Sequence, residues 1–103
     1  MTSRRRLPNR RQAETFEIDV GGLRYGCTVG RYPDDTIGEI FLSANKNGSA
    51  ADVSARDSAI AISLGLQHGI SLHDFARTVT RDEQGQASSP AGRAIDEILN
   101  GER

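Results

Sequence analysis

The sequence predicts an α+β domain, a three-stranded antiparallel meander followed by a long helix and two shorter helices packed on one sheet face. Three observations predict this class. Apolar and polar residues alternate through the first half of the chain, glycine and proline turns separate the alternating runs, and helical spacing occurs only in the second half. Because the strands precede the helices, a layered α+β arrangement is favoured over a parallel sheet.

The alternating runs place the three strands. Residues 15–20 and 25–29 alternate on either side of a Gly21-Gly22 turn, which is the pattern of a β-hairpin. After a second turn at residues 33–35, residues 38–44 form the third strand. The sheet face away from the helices is expected to be wet or an interface, since it carries Glu17, Asp19 and Thr28.

Helical spacing follows. A helix over residues 50 to about 68 is expected to begin at a Ser49 cap and end at Gly69. Its core stripe is predicted on Val53, Ile60 and Leu64, widened by Ala55, Ala59, Ile62 and Leu66, with Arg56, Asp57 and Gln67 outside it. A short helix follows an S-x-x-D box at Ser71 and Asp74. Pro90 opens a last helix whose contacts are Ile95, Ile98 and Leu99.

Charge divides the chain into two parts. All fourteen acidic residues lie at position 14 or later, whereas several arginines precede Glu14. These arginines are Arg4, Arg5, Arg6, Arg10 and Arg11. Residues 1–14 are therefore predicted to be a flexible basic arm, and residues 15–100 a single acidic domain. The arm is a candidate contact for nucleic acid or for an acidic partner protein, or it is a solubilising tail.

A second candidate site is the turn of Lys46, Asn47, Gly48 and Ser49. A lysine and a glycine that lead into a helix N-terminus favour an anion or phosphate, because amide groups and the helix dipole point there. The alternative is a plain strand-to-helix turn with a cap, since the G-x-x-x-x-G-K-[ST] spacing of a P-loop is absent.

Few residues are candidates for catalysis. Cys27 is the only cysteine, and its place in the alternating strand indicates a buried structural residue. His68 and His73 are the only histidines, and no metal-ligand or base–nucleophile spacing includes them. We therefore expect no catalytic residue and no metal. A small enzyme that uses either histidine with a nearby acid is the least supported alternative.

No apolar run reaches the roughly 20 residues that span a bilayer, and no apolar stretch follows the N-terminal arginines. A single cysteine also excludes a disulfide framework within the chain. The expected location is therefore cytoplasmic, without a membrane partner.

Residues 20–49 resemble the TSCPD domain, the C-terminal accessory domain of vitamin B12-dependent (class II) ribonucleotide reductases. That family has a glycine turn, a Y-x-T-V-G-like strand, an acidic turn, G-E-[IV]-F, and then a lysine and G-S before a long helix. The matching residues here are Gly21, Gly22, Tyr25, Thr28, Val29, Gly30, Asp34, Gly38, Glu39, Ile40, Phe41, Lys46, Gly48 and Ser49. Residues 59–70 are also similar to its A-x-x-x-S-L-x-L-x-x-G-[IV] helix, and the resemblance extends over about residues 16–99.

The resemblance implies a free-standing relative of the accessory domain. The chain lacks the Cys-Pro-Asp motif, the C-terminal cysteine pair and the catalytic barrel of the full-length family. Thiol–disulfide exchange needs two thiols, so a chain with one cysteine is expected to be non-catalytic alone. Adenosylcobalamin belongs to the full-length reductases, and no cofactor is expected on this chain.

Two functions from different classes follow. The first is an accessory or regulatory domain that acts with a reductase-type enzyme in deoxyribonucleotide synthesis, the nucleotide metabolism that supplies DNA synthesis. The alternative is a small nucleotide- or nucleic-acid-binding protein that uses the arginine arm and the turn at residues 46–49. The expected partner is the reductase-type protein or a second copy of the chain.

Overall fold

A computed structural model describes residues 3–101 and confirms the α+β class. The antiparallel sheet has the order β1-β2-β3 and contains β1 (Ala13–Val20), β2 (Leu23–Arg31) and β3 (Ile37–Ala44). Three helices follow, which are α1 (Ala50–Gln67), α2 (Leu72–Thr78) and α3 (Pro90–Gly101). The order of all six elements is the predicted one.

The β1–β2 hairpin closes through a two-residue turn. Val20 pairs with Leu23, and the two glycines between them have φ angles of 59° and 78°. Positive φ at both central positions is the requirement of a type I′ turn, whose twist matches that of the flanking strands. The Gly21-Gly22 pair therefore fixes the register that places Phe16 opposite Cys27.

One sheet face forms the core. Its buried side chains are Ile18, Tyr25, Cys27, Val29, Ile40, Leu42 and Ala44. The helices complete this core with Ala55, Ala59, Ile62, Leu72, Ala91, Ala94, Ile95 and Ile98. On the opposite face Glu17 and Asp19 are exposed and Thr28 is half-buried, as the alternation predicts.

The predicted core stripe of α1 is wrong. Val53, Ile60 and Leu64 are 50%, 56% and 41% exposed, whereas Asp52 and Gln67 are only 2% and 5% exposed. The flanking predictions for Ala55, Ala59 and Ile62 are confirmed by their burial. The face of α1 that meets the protein therefore combines small and apolar residues with two buried polar side chains.

The physical reason is that α1 lies along the outer edge of β3. The Ser63 hydroxyl accepts a hydrogen bond from the Ile40 amide at 2.9 Å and donates one to the Ile40 carbonyl at 3.1 Å. The Gln67 side-chain amide donates to the Gly38 carbonyl at 2.9 Å. An edge strand presents backbone groups without strand partners, and buried ones need hydrogen bonds. Polar side chains of α1 supply them.

The helix ends follow the predicted chemistry. Gly69 follows α1 with a φ of 100°, the left-handed conformation that favours glycine. The Ser71 hydroxyl accepts from the Asp74 amide at 3.1 Å, and the Asp74 carboxylate accepts from the Ser71 amide, which completes a capping box on α2. Within residues 3–101, no helix has the length and apolar character needed to cross a membrane.

Candidate functional sites

The arginine arm lies against the body of the domain. Residues 3–12 form neither helix nor strand, but the Arg5 amide donates to the Gln67 carbonyl at 2.7 Å. The Arg4 guanidinium donates to the side-chain oxygen of Gln67 at 2.6 Å, and the Tyr32 hydroxyl donates to the Arg5 carbonyl. β1 begins at Ala13, inside the predicted arm. The flexibility of the arm and its boundary at residue 14 stay predictions.

A cation–π contact and an ion pair hold Arg5. Its guanidinium carbon lies 3.8 Å from the centre of the Tyr32 ring, and its Nη2 lies 3.1 Å from an Asp34 carboxylate oxygen. The hydroxyl and backbone amide of Thr36 also donate to Asp34. These Thr36 hydrogen bonds, followed by the one from Arg5, lower the pKa of Asp34 to about 2.

Arg11 forms the second arm contact. Its guanidinium pairs with both carboxylate oxygens of Glu39, a side chain that is 10% exposed. Arg4, Arg5 and Arg11 are thus engaged within the chain, although they are exposed residues like Arg6 and Arg10. Arginines that already pair with carboxylates offer less charge to phosphates, so this geometry does not favour the nucleic-acid alternative.

The turn at residues 46–49 surrounds a carboxylate of the chain itself. The Gly48 amide donates to Asp52 Oδ2 and the Ala44 amide to Asp52 Oδ1, both at 2.9 Å. Arg56 Nε donates to Oδ2, also at 2.9 Å. The backbone bonds from Gly48 and Ala44, and then the bond from Arg56, lower the pKa of Asp52. Asp52 therefore remains ionised although it is almost completely buried.

Ser49 performs its predicted capping role. Its hydroxyl accepts from the Asp52 amide at 3.2 Å and donates to the Lys46 carbonyl at 2.8 Å. Lys46 and Asn47 are exposed. Phosphate binding at this turn stays a prediction, with the Gly48 amide already donating to an internal anion.

Cys27 is fully enclosed in the sheet core. Its side chain is 0% exposed, and burial raises the pKa of the thiol to about 12. The thiolate is the nucleophile in thiol chemistry, so a thiol with this pKa remains protonated and unreactive near neutral pH. The prediction of a buried structural cysteine is confirmed.

The two histidines lie on different elements. His68 is the C-cap of α1, and its backbone amide donates to the carbonyls of Leu64 and Gly65. His73 is exposed in the first turn of α2, at the side of an open groove that also contains the Arg81–Asp96 ion pair. Across the residues that the structure describes, no three His, Cys, Asp or Glu side chains come together as a metal site.

An exposed apolar surface beside β3 was not predicted from the sequence. We call the set Phe41, Val53, Ile60 and Leu64 the apolar surface, and its members are 41% to 56% exposed. Phe41 and Ile60 line a groove of about 460 Å³ between the outer face of the sheet and α1, together with Arg56 and Asp57. The periodicity did identify the helical part of this surface but assigned it to the core.

Comparison with known families agrees with this fold. The family model described as the TSCPD domain matches residues 1–100, nearly the whole chain. The chain belongs to the TSCPD family. The match includes the arginine arm, so the sequence pattern of the family extends beyond the sheet and helices. No solved structure matches the chain significantly.

Three curated relatives of this TSCPD domain are named vitamin B12-dependent ribonucleotide reductase. The protein of Agrobacterium fabrum is 43% identical over 77 residues, which cover 75% of this chain and 6% of the relative. That of Bradyrhizobium diazoefficiens is 40% identical over 85 residues, covering 81% and 7%. That of Streptomyces clavuligerus is 34% identical over 100 residues, covering 94% and 10%. The chain thus spans a tenth or less of these relatives.

Proposed function

We propose that this TSCPD domain is a non-catalytic accessory or regulatory domain that acts with a vitamin B12-dependent ribonucleotide reductase in deoxyribonucleotide synthesis. The observation that carries the proposal is the match of almost the whole chain to a small part of such reductases. A segment that forms one tenth of an enzyme and folds around its own core is suited to a supporting role beside the catalytic body.

The state of Cys27 supports the non-catalytic part of the proposal. Reduction of a ribonucleotide through a dithiol requires one thiol to attack and a second to resolve the mixed disulfide. Cys27 is the single thiol of this chain, it is enclosed on all sides, and its pKa is about 12. The reacting thiols are therefore assigned to the partner.

The surface offers little to a corrin cofactor. A groove of about 610 Å³ is open, and Arg81 and Asp96 in its wall are already paired at 2.8 Å. Small-molecule sites are usually concave and mostly apolar, with a few free polar groups. The described residues do not fit adenosylcobalamin, so we propose that this cofactor remains with the reductase.

The experiment uses a purified vitamin B12-dependent reductase from the same host, with any TSCPD region of its own deleted. Addition of the full chain is expected to produce saturable binding in biolayer interferometry and to change the rate of ribonucleotide reduction. The matched variant is Cys27→Ala, which is expected to retain both effects if it folds. Absence of binding by the folded wild-type chain would contradict an accessory role, and loss of the effect in folded Cys27→Ala would contradict the non-catalytic assignment.

A further inference from the structure

The outward side of α1 carries an apolar stripe that encloses two residues of opposite charge. Val53, Ile60 and Leu64 recur at helical spacing on this side and are about half exposed. Arg56 and Asp57 lie between Val53 and Ile60 and line the groove beside Phe41. Arg56 Nε donates to the buried Asp52, but the Arg56 side chain is still 51% exposed and can face a second copy. The centre of the stripe is therefore a charged pair flanked by Val53 and Ile60, with Leu64 one helical turn further on.

This order is self-complementary. When two copies of one helix pack antiparallel about a two-fold axis, positions with a constant sum of residue numbers lie opposite each other. An axis midway between Arg56 and Asp57 places Val53 opposite Ile60 of the second copy. The same axis places Arg56 opposite Asp57 of the second copy, and the reverse pair forms on the other side. Val53 and Ile60 then meet each other and each charge meets its opposite, while Leu64 lies opposite Ser49 at the end of the contact.

We propose that the apolar surface is an isologous interface at which a second copy of this chain binds, with the two α1 helices antiparallel. Phe41 extends the interface onto the sheet, since its half-exposed ring forms the other wall of the groove beside Ile60. Burial of a central apolar cluster with charges at its rim is the usual composition of a specific interface. This proposal does not depend on the reductase partnership.

The free edge of the sheet is a poorer surface for self-association. β1 is the edge strand opposite β3, and it carries Glu14, Glu17 and Asp19. Pairing of two β1 edges would gather the acids of both copies on one small continuous sheet, and charged residues on an edge strand oppose such pairing. The α1 side has matched charges instead, and this difference selects it as the dimer interface.

The test is a charge exchange measured by sedimentation velocity over a concentration series of the full chain. Asp57→Arg places an arginine opposite Arg56 of the second copy, and Arg56→Glu places a glutamate opposite Asp57. Each variant alone is expected to raise the dimer dissociation constant by roughly tenfold or more. An equimolar mixture is expected to restore dimers, because each mixed pair again has opposite charges at both contacts.

The matched control is Ile70→Glu, because Ile70 is an exposed apolar residue outside the apolar surface and is expected to leave the dimer intact. Circular dichroism verifies that every variant is folded, and Ile60→Lys serves as a second disrupting variant if Arg56→Glu unfolds. A wild-type chain that stays monomeric at every concentration would overturn the proposal. So would a dimer that both Asp57→Arg and Ile60→Lys leave unchanged.

Discussion

Helices α1 and α3 differ in the residues they bury, because α1 buries two polar side chains beside its apolar ones and α3 buries none. α3 follows its hydrophobic pattern, with Ile95 and Ile98 in the core. α1 turns Asp52 and Gln67 inward and leaves Ile60 largely exposed. Both helices belong to the same small core, so the difference lies in what each one meets. α3 meets side chains, whereas α1 meets the backbone edge of a strand.

The comparison shows that apolar periodicity identifies the inward face of a helix only where the opposing surface is apolar. A strand edge presents amide and carbonyl groups, and burying them without hydrogen bonds costs free energy. The polar groups of Ser63 and Gln67 make those bonds to β3. The apolar side of α1 is then available for a partner.

The largest expected effect concerns the contact of α3 with the apolar core. Ile95→Ala removes a side chain that is 0% exposed in α3 and leaves a cavity, which is expected to lower the free energy of unfolding by about 2–5 kcal/mol. Urea denaturation followed by circular dichroism measures it. Ile70→Ala is the control, since this exposed residue is expected to change the value by no more than about 0.5 kcal/mol. Equal losses in both variants would remove the distinction between the core and the surface.

A smaller effect concerns the polar contact between α1 and the edge of β3. Gln67→Leu adds an apolar side chain at a buried position of α1 but leaves the Gly38 carbonyl without its donor. The expected cost is about 1–3 kcal/mol in urea denaturation. Because the substitution also removes the acceptor of Arg4, Arg4→Ala is the control and is expected to cost about 0.5 kcal/mol or less. A higher free energy of unfolding for Gln67→Leu would show that apolar packing, and not hydrogen bonding to β3, stabilises the inward face of α1.

The pH dependence of stability tests the ionised state of Asp52. Its pKa is lower in the folded chain than in the unfolded chain, so its contribution is complete above the ordinary value of 3.8 and is lost as the pH falls towards the folded pKa. Asp52→Asn is expected to reduce the acid sensitivity of the melting temperature below about pH 4. Glu83→Gln, an exposed loop variant, is the control. An unchanged acid limb in Asp52→Asn would show that Asp52 is not the group responsible.

The smallest effect concerns a helix cap outside both faces. Ser71→Ala removes the hydroxyl that accepts from the Asp74 amide at the start of α2, and the expected loss is about 1 kcal/mol. Differential scanning calorimetry measures the resulting fall in the melting temperature. Ser71→Asp should restore most of the loss, because aspartate also accepts at an N-cap. Failure of that rescue would indicate that the cap is not the cause.

Local features of the fold were predictable from sequence. The Gly21-Gly22 turn, the Ser71 capping box and the helix that opens at Pro90 each depend on residues within a few positions of one another. Burial of Cys27 followed from strand alternation, which holds because one sheet face is apolar.

Features that depend on distant residues were not predictable. The Arg4–Gln67 contact joins residues 63 positions apart, and no spacing rule indicates it. The turn at residues 46–49 was predicted to favour an anion, but no spacing in the sequence indicated that the anion would be the chain's own Asp52 carboxylate. That this carboxylate would bind the Gly48 amide depends on how α1 meets β3.

The most direct test of the account compares two substitutions in α1 on an Asp57→Arg background, where the chain is expected to be monomeric. We expect Ser63→Ala to lower the free energy of unfolding by about 1–3 kcal/mol, because it removes both hydrogen bonds to Ile40. This loss is expected although alanine favours helices. We expect Ile60→Lys to change the free energy of unfolding by about 0.5 kcal/mol or less. A stable Ser63→Ala chain beside a strongly destabilised Ile60→Lys chain would contradict the assignment of the two faces.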